Sequence, residues 1–222
     1  LIVFIESKSD KFVFVNKNHN ISIDSLRAVA VLAVILNHFG FKSFSSGYLG
    51  VDLFFVISGY VITKKYIHIK NDSSLSFYAE FVFFRLKRII PNLIFFITIT
   101  SIFVYLLDYN YKNTLIGALF AVFAISNIYF YVNSLDYFSI DSSLNSFTHT
   151  WSLGVEEQFY LIFPFLIYAF ARNKIKKSYF LIPTLLSVFL FYSSTTTSPS
   201  ATYYLIQYRF WQIALGCLLI IY

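Results

Sequence analysis

Charged residues are scarce in this chain of 222 residues, where Asp, Glu, Lys and Arg together make up 13%. Soluble domains carry about 25% charged residues, so the composition argues against a soluble protein. Cysteine occurs once, at Cys217, which excludes an intrachain disulfide and, by itself, a zinc site. Methionine is absent and the chain opens on Leu1 without a cleavable signal peptide, so we expect a fragment of a longer protein.

Apolar residues dominate instead: 58% of the chain is hydrophobic and 22% is aromatic. Several apolar runs approach the length of about 20 residues that a membrane-spanning helix needs. These runs lie near residues 28–41, 48–63, 92–107, 114–132, 155–170, 179–192 and 205–222. The predicted fold is therefore all-α: a polytopic transmembrane helical bundle with a polar interior cavity.

The net charge of +6 has a membrane explanation, and no nucleic-acid partner is expected. The basic residues cluster at the ends of apolar runs, as in proteins that keep positive loops on the cytoplasmic side. Residues 1–20 are predicted to be an N-terminal cytoplasmic segment of unknown role, and 21–222 to be a membrane domain whose C-terminal spans are missing. Membrane lipids are the expected surroundings.

The charge pattern also predicts an irregular topology. Residues 76–90 mix aromatic and basic side chains, which suits an amphipathic segment on the inner membrane surface. If 114–132 crossed the membrane, the basic run from Arg172 to Lys177 would fall outside. A segment that enters and returns on the outer side avoids this conflict, and such segments occur where they are buried in protein. We therefore expect 114–132 to be re-entrant.

The first apolar run carries two ionisable side chains, Arg27 and His38, with ten residues between them. At about 100° per residue the two lie on one helix face, and at about 1.5 Å per residue they lie roughly 16 Å apart. Ionisable groups inside membrane spans usually line a site or a pathway. The alternative is that Arg27 extends to the membrane surface and His38 caps a helix end.

Further ionisable residues begin later spans. Asp52 is predicted to lie at the depth of His38, where it would orient the imidazole, or else cap its helix. His149 and Trp151 precede the adjacent carboxylates Glu156 and Glu157, of which only one can face a given point. Arg209 needs a partner in the last span, and either glutamate is a candidate. These residues offer no clear third ligand beside any metal-binding pair, so no metal is expected.

Arg85 and Arg88 lie three residues apart, side by side on a predicted helix. Guanidinium groups bind phosphate oxygens in a two-pronged manner, so the pair suits a phosphate-bearing cofactor such as coenzyme A. Attraction to anionic lipid headgroups is the alternative explanation.

In order along the chain, these motifs resemble the acyltransferase-3 family of integral membrane O-acyltransferases. The matching blocks are Ile23–Leu32 up to His38, Gly50–Tyr60, Arg85–Pro91, His149–Leu153 with Val155–Tyr160, and Arg209–Trp211 with Leu215–Gly216. The resemblance covers residues 21–222. Gln212 and Ser25 depart from it, because the family more often has Glu and Gly there.

The resemblance implies an enzyme of the bacterial cytoplasmic (inner) membrane, with several spans, that transfers groups other than amino-acyl groups. The donor would be acetyl-CoA or another acyl-CoA, bound by Arg85, Arg88 and Arg27. The acceptor would be a carbohydrate or glycolipid, such as lipopolysaccharide O-antigen. The implied catalytic set is His38, as general base or acyl carrier, with Asp52, Arg27, His149 and Glu156, the last two on the outer acceptor side.

The family also includes members with an extracytoplasmic esterase-like domain, which would lie beyond Tyr222 as a fused or separate partner. Two other functions remain open from the residues. A transporter or exporter would also place ionisable groups along a cavity, although it has no obvious use for paired cytoplasmic arginines. A non-catalytic scaffold would use the same charges as contacts between helices.

Overall fold

The computed structural model describes residues 21–68, 73–108, 111–136, 144–172 and 178–222. The predicted N-terminal segment and the basic residues Lys174, Lys176 and Lys177 lie outside these ranges. The described residues form nine α-helices: α1 (Ile21–His38), α2 (Leu49–Tyr66), α3 (Ser74–Leu107), α4 (Tyr111–Val122), α5 (Ser126–Leu135), α6 (Trp151–Ala171), α7 (Ser178–Ser194), α8 (Pro199–Tyr204) and α9 (Ile206–Ile221).

Five described segments are long and apolar enough to cross a membrane: Ile21–His38, Lys42–Tyr66, Ser74–Leu107, Thr148–Ala171 and Pro199–Ile221. The apolar helix α7 is slightly shorter, at 17 residues. Large apolar side chains such as Leu107, Leu119 and Phe189 are exposed on the helix surfaces, as expected where lipid replaces water. The predicted all-α polytopic helical bundle is confirmed.

Helices α2 and α9 form the closest helix pair, because glycine lets their backbones meet. A Cβ atom added at Gly59 would lie 2.9 Å from the carbonyl carbon of Ile213. One added at Gly216 would lie 2.6 Å from the backbone nitrogen of Tyr60. Small residues allow this close approach between membrane helices, where dispersion contacts rather than water exclusion drive association. The pair runs parallel, since Asp52 and Arg209 meet near its start.

The segment 76–90, predicted to lie on the inner membrane surface, forms part of one continuous helix of 34 residues, α3. Phe77 and Phe81 are buried, and both pack their rings against Tyr66. The protein interior therefore surrounds these two rings. Pro91 does not end the helix, in keeping with the tolerance of proline within membrane helices.

Helices α4 and α5 form a hairpin, as the re-entrant prediction requires. They contain 12 and 10 residues, each too short to cross a membrane. The turn between them includes Ala124 in the left-handed region, with φ of 61°. The ring of Tyr129 stacks on Phe120 at 4.6 Å, and its hydroxyl donates to the carbonyl of Asn113 at the start of α4. Helix α5 therefore packs antiparallel to α4.

Candidate active site

Four helices surround a small polar cavity, called here the arginine cavity, of about 100 Å³. Three guanidinium groups and one carboxylate line it, together with two hydroxyl groups and four apolar side chains. The lining residues are Arg27 of α1; Ser58, Val61 and Ile62 of α2; Arg85, Arg88 and Ile89 of α3; and Leu153, Glu156 and Tyr160 of α6. The three arginines assigned from sequence to the donor are thus brought together.

Glu156, which was grouped from sequence with His149 and Trp151, lines this cavity with the three arginines. The hydroxyl of Ser58 donates to Oε1 of Glu156 at 2.8 Å. The hydroxyl of Tyr160 donates to Oε2 at 2.9 Å. Helical geometry separates it from Trp151: Glu156 is five residues beyond Trp151, about 7.5 Å further along α6. Glu157, on a different face, is not among the residues that line the cavity.

Aromatic rings hold the Arg85 guanidinium in place. Its central carbon lies 5.0 Å from the ring centre of Tyr160 and 5.5 Å from that of Phe81. A cation over an aromatic face is stabilised by the ring quadrupole, more strongly where water is excluded. Arg27, by contrast, has a carboxylate of its own helix nearby, with Asp24 at 3.8 Å. Arg88 is exposed and reaches the cavity from α3.

The charge of the arginine cavity is unbalanced. Three guanidinium groups face a single carboxylate, so the lining carries an excess of positive charge even when Glu156 is ionised. Asp24, which lies 3.8 Å from Arg27 but does not line the cavity, offsets only part of this charge. Guanidinium groups form short, two-pronged hydrogen bonds to phosphate and carboxylate. The cavity is therefore chemically suited to an anionic ligand with several acceptor oxygens.

A second polar group, called here the ion-pair cluster, consists of Asp52, Arg209, Trp151 and Tyr203. Nη1 of Arg209 donates to Oδ1 of Asp52 at 3.0 Å, and its Nε donates to the carbonyl of Tyr203 at 3.1 Å. The guanidinium also lies over the rings of Trp151 and Tyr203, at 5.7 and 5.4 Å. The prediction that Arg209 pairs with a glutamate of α6 is wrong, because its guanidinium pairs with Asp52. Glu156 accepts hydrogen bonds from Ser58 and Tyr160 instead.

Asp52 was expected to orient His38, but its carboxylate pairs with Arg209. No hydrogen bond joins Asp52 to the imidazole within the described ranges. The parallel packing of α2 on α9 explains this, since it places the first turns of both helices side by side. Asp52 faces the stretch of α1 between Arg27 and His38, because the nearby Gly50 packs against Ala30 and Val34 of that helix.

His38 ends α1 with an exposed side chain. His149 is close enough for electrostatic interaction with it. The ring of His149 meets that of Phe96 edge to face, with centres 5.0 Å apart. The two histidines predicted for catalysis therefore lie at the same end of the bundle. Arg27 lies eleven residues earlier on α1, in the arginine cavity.

Sequence reasoning missed two cavity residues, Ser58 and Tyr160. Tyr160 could have been found, because it follows Glu156 by four residues and so shares its helix face. Ser58 had only a weak signal, as one hydroxyl in the apolar run of α2. Its contact with Glu156 joins residues 98 apart in the chain, and no local pattern specifies such a contact.

Comparison with known proteins supplies independent information. The family model described as "Acyltransferase domain" matches residues 20–222. The chain is 35% identical over 211 residues to "O-acetyltransferase OatA" of Staphylococcus aureus (strain NCTC 8325 / PS 47), covering 89% of this chain and 34% of that protein. It is also 35% identical over 207 residues to "Putative peptidoglycan O-acetyltransferase YrhL" of Bacillus subtilis (strain 168), covering 89% and 32%.

No solved structure matches the chain. The chain spans about a third of the length of these curated relatives.

Proposed function

Because the chain belongs to the acyltransferase family whose model matches residues 20–222, we propose that it is part of a membrane O-acyltransferase and holds both its donor site and its catalytic base. The reaction moves an acyl group, acetyl in the simplest case, from acyl-coenzyme A to a carbohydrate hydroxyl. The observation that carries the proposal is the arginine cavity. Its excess of guanidinium groups suits the phosphates of a coenzyme A thioester.

Each step of the transfer has a candidate residue. Arg27, Arg85 and Arg88 bind the donor phosphates. Glu156 accepts hydrogen bonds from Ser58 and Tyr160, and so it fixes the Tyr160 ring against which the Arg85 guanidinium lies. His38, at the other end of α1, takes the proton from the acceptor hydroxyl. The hydroxyl oxygen then attacks the thioester carbonyl, the C–S bond breaks, and coenzyme A leaves as the thiolate. His38 can alternatively carry the acyl group for part of the reaction.

The acceptor is proposed to be a carbohydrate of the bacterial cell envelope. The name of the Bacillus subtilis relative favours peptidoglycan over lipopolysaccharide, which was the example expected from sequence. The enzyme then lies in the cytoplasmic membrane, with the donor on the inner side and the acceptor outside. Labelled acetyl-coenzyme A supplied to membranes that contain the full-length protein should yield labelled glycan, whereas a transporter or a scaffold would yield none.

The donor site has a sharper test. Arg85→Ala with Arg88→Ala should raise the KM for acetyl-coenzyme A more than the KM for its dephospho form, because the latter offers fewer phosphate oxygens. Lys87→Ala is the matched control: Lys87 lies between the two arginines, is exposed and does not line the cavity. Equal losses for both donors, or losses as large for Lys87→Ala, would indicate a role in lipid anchoring instead.

A further inference from the structure

The tip of the α4–α5 hairpin is joined to α6 by two amide side chains that bond to each other reciprocally. Nε2 of Gln158 donates to Oδ1 of Asn127 at 2.8 Å, and Nδ2 of Asn127 donates to Oε1 of Gln158 at 3.2 Å. Asn127 is fully buried, with no exposed surface. Gln158 also donates to the carbonyl of Ala124, the residue with positive φ at the turn. The two hydrogen bonds fix the relative orientation of the amides, because each amide serves as both donor and acceptor.

The same Asn127 reaches the break between α8 and α9. The backbone is extended at Leu205, with φ of −91° and ψ of 139°, so α8 ends at Tyr204. The last carbonyls of a helix have no partner within it, and within a membrane protein they need donors from elsewhere in the fold. Nδ2 of Asn127 donates to the carbonyl of Tyr204 at 3.2 Å, and Nε of Arg209 donates to that of Tyr203 at 3.1 Å.

These contacts form a continuous path from the hairpin to the ion-pair cluster. The path runs from the hairpin turn through Gln158 and Asn127 to the carbonyl of Tyr204. The adjacent carbonyl, of Tyr203, holds Arg209, and Arg209 holds Asp52. Gly154 keeps the path tight, because a Cβ atom there would lie 2.9 Å from Oδ1 of Asn127. The position of the Arg209 guanidinium thus depends on where Asn127 fixes the helix break.

We propose that Asn127 and Gln158 are positioning residues for acyl transfer, which hold the α8–α9 break so that Arg209 and Asp52 keep their place beside the stretch of α1 between Arg27 and His38. The inference rests on the proposed function, since acyl transfer is its readout. Neither amide lines the arginine cavity. Their loss should therefore lower kcat and leave donor binding intact. A displacement of about 1 Å near reacting groups lowers rates on the order of 100-fold.

The test compares Asn127→Leu and Gln158→Leu with Ser126→Ala in the full-length protein. Ser126 is the matched control, because it neighbours Asn127 on the hairpin, is equally buried, and donates from Oγ to the carbonyl of Thr150 at 2.8 Å. That bond also docks the hairpin on the start of α6, but it does not reach the α8–α9 break. Acyl transfer, donor KM and melting temperature are measured for every variant.

We expect kcat to fall by at least about tenfold in both amide variants, with the donor KM unchanged, and Ser126→Ala to keep its kcat despite a lower melting temperature. Because the two amides act as one unit, the double variant should be no slower than the slower single one. An equal loss of kcat in Ser126→Ala would show that the amides merely dock the hairpin. Full activity of Asn127→Leu would also overturn the proposal.

Gln158→Asn keeps the test decisive if the leucine variants do not accumulate. It retains an amide but is one methylene too short to reach both Asn127 and the carbonyl of Ala124, so the same loss of kcat is expected. Normal kcat in this variant would refute the positioning role. If the unaltered protein and Ser126→Ala both lack acyl transfer, the proposed function fails rather than this inference.

Discussion

The contact between α2 and α9 predicts that alanine at Gly59 or Gly216 destabilises the bundle. Ordinary van der Waals contact of a Cβ atom begins at 3.4 Å, and a Cβ at Gly216 would lie 2.6 Å from the nitrogen of Tyr60. The two backbones would have to separate by at least 0.8 Å, the difference between these distances. A Cβ at Gly59 would meet the carbonyl group of Ile213 in the same way.

Two effects of opposite sign decide how much either substitution changes the free energy of unfolding. Replacing glycine by alanine within a helix is favourable by roughly 0.5–1 kcal/mol, because alanine loses less backbone entropy on folding. Overpacking costs about 1–3 kcal/mol, and the upper part of that range applies because the opposing atoms are backbone and cannot turn away. The net expectation is a loss of about 2 kcal/mol at either site, which lowers the melting temperature by about 4–8 °C for a domain of this size.

The assay is thermal unfolding of the full-length protein purified in detergent, with Gly117→Ala as the matched control. Gly117 is also a helical glycine, but a Cβ there would lie 3.2 Å from the movable side chain of Asn145 rather than from backbone. We expect this control to melt within a degree or so of the parent, since its helix-propensity gain offsets a small adjustment. Parental melting of Gly59→Ala and Gly216→Ala would refute the backbone contact between α2 and α9.

Three further predictions concern His38, the ion-pair cluster and the α4–α5 hairpin. His38→Ala should abolish acyl transfer to glycan without loss of protein from the membrane, and near-normal transfer would remove His38 from the mechanism. Asp52→Asn should lower the melting temperature by removing the charge that pairs with Arg209, at a cost of about 1.5–3 kcal/mol for a half-buried, charge-assisted hydrogen bond. The double variant with Arg209→Gln should regain part of this loss, and no recovery would argue against direct pairing. In a Cys217→Ser background, cysteines at Lys112 and Ser134 should react with an impermeant thiol reagent from one side and a cysteine at Arg172 from the other; opposite labelling of Lys112 and Ser134 would mean that the hairpin spans.

The sequence alone determined the elements that depend on local composition. Apolar run length is a property of consecutive residues, and it sufficed to predict an all-α membrane bundle. The positions of Arg27 and His38 on one helix also follow from spacing. Charge parity predicted the re-entrant segment 114–132; α5 folds back on α4 there, and the cysteine labelling above tests on which side its ends lie. The spacing of Arg85 and Arg88 likewise predicted a paired guanidinium site.

Only the tertiary structure decided which ionisable residues meet. Every apolar helix has several faces, and a carboxylate such as Glu156 or Asp52 can pair across any of them. Backbone contact at Gly59 and Gly216 sets α2 parallel to α9, and this places Arg209 within hydrogen-bond distance of Asp52. Glu156 is consequently free to meet Ser58 and Tyr160 in the arginine cavity. Such contacts join residues far apart in the chain, so they depend on how helices pack and not on the spacing that makes each helix.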